Sequence, residues 1–346
     1  MFDIPPNQTT MIGSLPQATA EEALEALKVF PLSVPAWPQV PRRSFKEGML
    51  AQYSQGLPGV RVDEEEKRIW VEKDDDLLNA MSRFYEEVLA GVVDPFAITA
   101  EYAEGLDAFL DQLKSLPGKI PLAKGQVVGP FSLGLGVNDN QGRAVWFDEQ
   151  YRDVIIKGLT KKALWQIEKL KQYAENIIIF FDEPILSALG TPAYMGISDE
   201  DVIQVLDEAA EEVRNAGAAV GVHCCGNMDW GLLARTSIDI ISFDAFSYGE
   251  KLALYPEAIS GFLERGGYLA WGIVPTSGSD VVSQAALETL SERMKELITL
   301  FENKGIPSAL IQERKLLTPA CGMGNLSLEE AEKVLELLQK LGKSGF

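Results

Sequence analysis

The stretch IIIFFDEP, residues 177–184, decides the fold. Five apolar residues are followed by two carboxylates and a proline, a pattern that predicts a short strand with acidic residues at its carboxyl end. Seven other runs of this kind occur along the chain, and most neighbouring runs are separated by helical patterns. Strand and helix that alternate eight times are typical of a (β/α)8 TIM barrel, which we expect here.

The eight predicted strands share apolar and β-branched residues bounded by Gly, Pro or Asp. They cover residues 9–14, 34–37, 122–128, 177–182, 219–223, 240–244, 269–274 and 316–319. Helices are predicted over residues 19–29, 199–216 and 283–304, and after a capping box at Ser327 and Glu330 as far as Gly342. After the second strand, residues 59–71 predict an inserted hairpin, and residues 74–89 and 99–113 predict two additional helices.

Length and charge limit the classes of function. The chain has 346 residues and no low-complexity linker, so we expect one barrel domain over residues 1–346. A formal net charge of -20 disfavours nucleic acid and anionic lipid as partners. No apolar run approaches the roughly 20 residues that span a bilayer, which excludes a membrane protein. No export signal is visible at Met1, so the expected location is cytoplasmic.

The single histidine and the three cysteines indicate a metal site. His223 and Cys225 share one face of a predicted strand, whereas Cys224 turns away. Cys321 follows the eighth strand, and the carboxyl ends of barrel strands meet at one mouth. Two sulfurs and one nitrogen, with Asp244 as the candidate carboxylate, suit zinc. The alternative is a hydrogen-bonded core histidine with cysteines that only fill space.

Two further strand ends carry candidate ligand-binding groups. Asp182 ends a strongly apolar strand, where its carboxylate must be solvated or paired, and it could hold a ligand ammonium group. Its alternative role is to cap the next helix. Ile12, Gly13 and Ser14 offer backbone groups and a hydroxyl, with Gly13 permitting the close approach of a ligand. A plain turn at the end of the strand explains this segment equally well.

Taken together, five motifs resemble the catalytic half of cobalamin-independent methionine synthase, from near residue 9 to the end of the chain. The motifs are Thr9-Thr-Met-Ile-Gly-Ser-Leu-Pro16, Asp182-Glu-Pro-Ile-Leu186, His223-Cys-Cys-Gly-Asn227, Ile240-Ile-Ser-Phe-Asp244 and Pro319-Ala-Cys-Gly322. That family belongs with the uroporphyrinogen decarboxylase-like barrels. The resemblance implies a zinc-dependent methyltransferase that moves a methyl group to the thiol of homocysteine and forms methionine.

The resemblance also implies roles for individual residues. The zinc ligands would be His223, Cys225, Asp244 and Cys321, with Asp244 in place of the family's Glu. Asp182 would bind the ammonium group of homocysteine. Ile12 and Ser14 would contact the amino-acid part, next to Gly13. A further substrate-binding glutamate is implied before Met49, but the local match over residues 43–52 does not assign it.

Two departures from the family concern the methyl donor. The chain has no room for the second, N-terminal barrel, and no tryptophan follows Gly129-Pro130 where the family has one. The chain therefore resembles a short "core" methionine synthase. For this type we expect methylcobalamin or a protein-bound methylcorrinoid as the donor, and a corrinoid protein as a partner, rather than methyltetrahydrofolate.

Three other functions remain open at this point. One is methyl transfer from a corrinoid to another thiol, such as coenzyme M, although this acceptor has a sulfonate and no amine for Asp182 to bind. The second is a metal-free decarboxylase of the uroporphyrinogen type, which would need arginines for the substrate carboxylates. The third is a non-catalytic partner that binds a corrinoid or zinc.

Overall fold

The computed structural model describes residues 2–344. Its strands are β1 (Gln8–Thr9), β2 (Val60–Asp63), β3 (Arg68–Val71), β4 (Ile120–Val128), β5 (Asn138–Asp139), β6 (Ala174–Asp182), β7 (Ala219–Cys224), β8 (Ile240–Phe243), β9 (Tyr268–Val274) and β10 (Lys315–Pro319). Its helices are α1 (Ala20–Val29), α2 (Met49–Ser54), α3 (Leu77–Leu89), α4 (Ala100–Lys114), α5 (Pro130–Gly136), α6 (Glu149–Leu170), α7 (Asp199–Asn215), α8 (Trp230–Arg235), α9 (Ala245–Leu252), α10 (Pro256–Glu264), α11 (Ser279–Gln284), α12 (Leu287–Asn303), α13 (Ser308–Glu313) and α14 (Leu328–Ser344).

Seven parallel strands form one curled sheet, in the order β1-β10-β9-β8-β7-β6-β4. Helices separate most consecutive strands of this sheet along the chain. The α/β class and the parallel sheet are therefore confirmed. The closed barrel of eight regular strands is not confirmed. The seven strands form a TIM-like half-barrel that stays open between β1 and β4.

The predicted second strand, residues 34–37, is wrong as a regular strand. The segment does lie between the two edges of the sheet, where Ala36 pairs with Lys124 and Gln39 pairs with Ser14 through isolated bridges. Pro35 and Pro38 interrupt it. Because proline has no backbone N–H, a ladder cannot run through these positions.

Other predicted boundaries shift for local reasons. The first strand is shorter than residues 9–14, since regular pairing with β10 ends at Thr9. The predicted helix over residues 283–304 is two helices, because Ala285 and Ala286 adopt extended backbone angles between α11 and α12. The inserted hairpin is confirmed as β2 and β3, paired from Val60↔Val71 to Asp63↔Arg68. The two additional helices are α3 and α4.

The two faces of the curled sheet carry separate apolar clusters. On β6, Ile177, Ile179 and Phe181 belong to the large core that includes the helices. Ile178 and Phe180 point to the concave face and join the inward residues of the other strands. Successive side chains of a strand point to opposite faces, so Asp182 shares the concave face with Phe180.

None of the helices within residues 2–344 is both long and apolar enough to cross a membrane.

We predict that Gly105→Ala destabilises the fold by about 1–3 kcal/mol, the usual cost of inserting a methyl group into a packed interior. Gly105 lies in α4, where an added Cβ would overlap the carbonyl oxygen of Pro38 in the segment between the sheet edges. Urea unfolding would measure the change. Gly261→Ala is the matched control, because open space surrounds that position in α10 and alanine favours a helix. Equal unfolding midpoints for the two variants would contradict the prediction.

Candidate metal centre

His223, Cys225 and Cys321 come together at the carboxyl ends of the parallel strands. His223 lies near the end of β7, Cys225 follows that strand directly, and Cys321 follows β10. One imidazole nitrogen and the two Sγ atoms all lie within 4.8 Å of one another. Strands β8 and β9 separate β7 from β10 in the sheet, so the curl of the sheet is what makes this approach possible.

The His223 ring is oriented in the way that a metal ligand requires. Its Nδ1 atom lies 2.9 Å from Ser242 Oγ on the neighbouring strand β8. Its Nε2 atom is buried and has no hydrogen-bond partner among the described residues. Metal-bound histidines commonly use one ring nitrogen as the ligand while the other is held by a hydrogen bond. The orphaned nitrogen next to two thiols fits zinc, which prefers nitrogen and sulfur donors.

The two thiols interact, and their pKa values move in opposite directions. A hydrogen bond with Cys321 lowers the pKa of Cys225 to about 4, and the nearby His223 acts in the same direction. The same hydrogen bond raises the pKa of Cys321. Cys225 is thus the thiol that favours its thiolate form, which is the form that binds a metal. Cys224 is different. Its side chain is fully buried in the large core that includes the helices, and this burial raises its pKa to about 12.

Asp244 lies outside the donor group. Its carboxylate caps α9 and accepts a hydrogen bond of 2.8 Å from the backbone N–H of Ser247. Burial raises its pKa above the usual value. The structure thus gives Asp244 a partner of its own, and its role as a fourth ligand stays a prediction.

A cavity of about 280 Å³ opens beside the three donors. Its walls include Ile12, Ser14, Gln39, Glu47, Met49 and Asp182 in addition to His223, Cys225 and Cys321. The structure therefore brings the predicted substrate-binding residues Ile12, Ser14 and Asp182 to the predicted metal ligands. Gly13 is not among the residues that line this cavity. It packs against the Gln39 side chain, which an added Cβ at Gly13 would overlap.

Asp182 and Glu183 have different surroundings although they are adjacent. Glu183 accepts hydrogen bonds from the backbone of Phe131 (2.9 Å) and Ser132 (2.8 Å) at the start of α5, which gives it a structural role. Asp182 is 7% exposed, and its Oδ1 atom has no hydrogen-bond partner among the described residues. Burial raises the pKa of Asp182 to about 6, although the positive charge of Lys124 opposes this. Asp182 is thus the carboxylate left for a ligand.

Glu47 is a functional candidate that the sequence did not assign. It lines the cavity with 1% of its surface exposed. The Nε atom of Arg43 lies 2.5 Å from Glu47 Oε1, and the backbone N–H of Val40 donates to Glu47 Oε2 over 3.1 Å. One signal could have identified it, because Glu47 is the only carboxylate within residues 43–52. The fold brings it to the site through the irregular segment before α2.

No protein-family model matches this chain, and no curated protein matches its sequence. Among solved structures, a methyltransferase from Methanosarcina mazei is similar in fold, with a TM-score of 0.54 and 13% sequence identity. The match covers 98% of this chain and 94% of that chain. At this identity the likeness shows a shared fold.

We predict about one zinc ion per chain, and expect that Cys225→Ser and Cys321→Ser each lose it, because a hydroxyl is a much poorer zinc ligand than a thiolate. Cys224→Ser is the matched control and should retain the metal, since the Cys224 side chain lies in the large core that includes the helices and is not one of the three donors. Elemental analysis of the purified proteins would measure zinc. Full zinc occupancy in Cys321→Ser would refute this donor set.

Proposed function

We propose that this chain is a zinc-dependent methyltransferase that forms methionine by moving a methyl group to the thiol of homocysteine. One observation carries the proposal: the donors His223, Cys225 and Cys321 face the same cavity as the unpartnered carboxylate of Asp182. A thiol-binding metal and an ammonium-binding carboxylate in one cavity match the two ends of an amino-acid thiol. The structural neighbour, itself a methyltransferase, supports the reaction class.

The residues of the chain would bind and orient the acceptor. Asp182 lines the cavity with an unpartnered carboxylate oxygen, which would attract an ammonium group, whereas Glu47 in the same wall is already paired with Arg43. Ile12 and Ser14 form the adjacent wall, with backbone groups and a hydroxyl for the acceptor carboxylate. When bound, zinc would lower the pKa of the acceptor thiol so that a thiolate forms at neutral pH.

The proposed reaction needs no nucleophilic side chain. The acceptor sulfur loses its proton to solvent and attacks the methyl carbon, so that a carbon–sulfur bond forms. The bond between this carbon and the donor breaks, and its electron pair stays with the donor. His223 would be occupied as a ligand, so this chain offers no histidine as a general acid.

We propose a methylated corrinoid as the donor, either methylcobalamin or a corrinoid protein that binds as a partner. Such a donor needs no proton when it leaves, whereas the nitrogen of methyltetrahydrofolate does. The aromatic residue that follows Gly129-Pro130 also offers no surface for a folate ring, because Phe131 is fully buried against Trp146 with 4.3 Å between the ring centroids. The net charge of -20 further disfavours a polyglutamate tail.

The alternative functions fit the cavity less well. The sulfonate of coenzyme M would face the carboxylate of Asp182, which disfavours this acceptor. A uroporphyrinogen-type decarboxylase would need arginines for its substrate carboxylates, and the described residues that line this cavity include none. A non-catalytic zinc or corrinoid partner is distinguished by the absence of methyl transfer.

Asp182→Asn should weaken homocysteine binding by about tenfold or more, because a hydrogen bond to a charged group contributes about 1.5–3 kcal/mol. Zinc content should not change, since Asp182 is not one of the three donors. The control acceptor is 3-mercaptopropionate, which has the thiol but no amine. Equal losses for the two acceptors would show that Asp182 does not bind the ammonium group.

Methylcobalamin and homocysteine should yield methionine with the zinc-loaded protein, whereas methyltetrahydrofolate with one or several glutamates should not. Mass spectrometry of the product would measure methionine, and Cys321→Ser would serve as the control for zinc dependence. Efficient turnover with methyltetrahydrofolate alone would exclude the corrinoid proposal. Absence of methyl transfer from every donor would favour the non-catalytic partner.

A further inference from the structure

Lys124 is a charged residue in the interior of the curled sheet. It lies on β4 two residues after Leu122 of the concave apolar cluster, and therefore on the same face, and its exposed surface is 0%. Its Nζ atom donates to the backbone carbonyl of Ile12 over 2.7 Å and to Gln126 Oε1 over 3.2 Å. The same atom lies 4.6 Å from the centre of the Phe180 ring.

An ammonium group in this position is costly. Removing it from water carries a large free-energy cost, which two oxygen acceptors and a ring face offset only in part. Burial lowers the pKa of Lys124 to about 8, while the carboxylate of Asp182 opposes that change. Methionine or leucine would fill the same space without this cost, so packing alone does not account for a lysine.

The two acceptors of Lys124 lead to the wall of the cavity. Ile12 lines it directly. Gln126 is linked to it through its backbone: the Tyr53 hydroxyl donates to the backbone carbonyl of Gln126 over 2.8 Å and accepts from Gln39 Nε2 over 3.1 Å. Gln39 is the next wall residue. Lys124 therefore contacts the wall residue Ile12 directly, and it reaches Gln39 only indirectly, through Gln126, whose side chain it holds and whose backbone bonds Tyr53.

We propose that Lys124 is a positioning residue for the acceptor: its ammonium group holds the Ile12 carbonyl and the Gln126 side chain, and so fixes the walls that receive the amino-acid part of the thiol. This inference rests on the proposed function. It differs from the metal assignment, because Lys124 contacts none of the three donors. Its loss should therefore weaken binding of the amino acid and leave zinc in place.

The chain contains a matched control for a buried lysine. Lys162 on α6 is 1% exposed, and burial lowers its pKa to about 7. Its Nζ atom lies 3.5 Å from the carbonyl of Phe96, which is not part of the cavity wall. Lys162→Met therefore reproduces the removal of a buried ammonium group at a position away from the site.

The test compares Lys124→Met, Lys124→Gln and Lys162→Met in the full zinc-loaded chain. Calorimetry would give the Kd of L-homocysteine, and elemental analysis would give the zinc content. We expect Lys124→Met to raise the Kd at least tenfold with zinc retained, and Lys162→Met to leave it within twofold. Lys124→Gln should lie between them, because its carboxamide can still donate to the Ile12 carbonyl.

Unchanged homocysteine binding in Lys124→Met would overturn the inference, and so would loss of zinc or an equal loss of binding in Lys162→Met. If Lys124→Met does not fold, the comparison of Lys124→Gln with Lys162→Met decides, with a Kd of Lys124→Gln within twofold of the original chain counting against the inference. A wild-type chain that binds zinc but not homocysteine would instead refute the proposed function, and with it the acceptor that Lys124 would position.

Discussion

The alternation of side chains along parallel strands is the constraint on which the rest of the structure depends. Each strand of the curled sheet must pack one set of residues against helices and point the other set into a narrow interior. On β6 the outward set is Ile177, Ile179 and Phe181, and the inward set ends in Asp182. Polar groups on the inward face are tolerated near the carboxyl ends, where the cavity opens. The site is therefore a consequence of strand register.

The same constraint explains what the sequence could predict. Strands with continuous apolar runs were recognisable, and so was the meeting of His223, Cys225 and Cys321, because strand ends converge in this fold class. Residues 34–37 were wrongly predicted as a strand, since their apolar residues suggest one while Pro35 and the following Pro38 prevent a ladder. Glu47 could not be assigned because an irregular segment carries it to the cavity, and no periodic pattern describes such a path.

The charges of the site are organised from both sides of the cavity wall. On the open side, Cys321 and His223 lower the pKa of Cys225, and this favours the thiolate that a metal ion would need. On the closed side, Lys124 supplies a positive charge that partly offsets the burial of Asp182. The fold thus combines a candidate metal centre with an interior ammonium group whose positive charge opposes the upward shift of the Asp182 pKa.

Residues 34–39, which lie between the sheet edges β1 and β4, also affect which other chains can pair with the sheet. Exposed edge strands normally present unpaired N–H and C=O groups to any extended chain, which makes them sites of aggregation. Here the Val34 N–H donates to the Thr9 carbonyl and the Lys124 N–H donates to the Pro35 carbonyl, so both edges are occupied from within. The prolines leave the covering segment without a continuous row of donors. An incomplete ladder in this protein is therefore also a sheet that a foreign strand cannot extend.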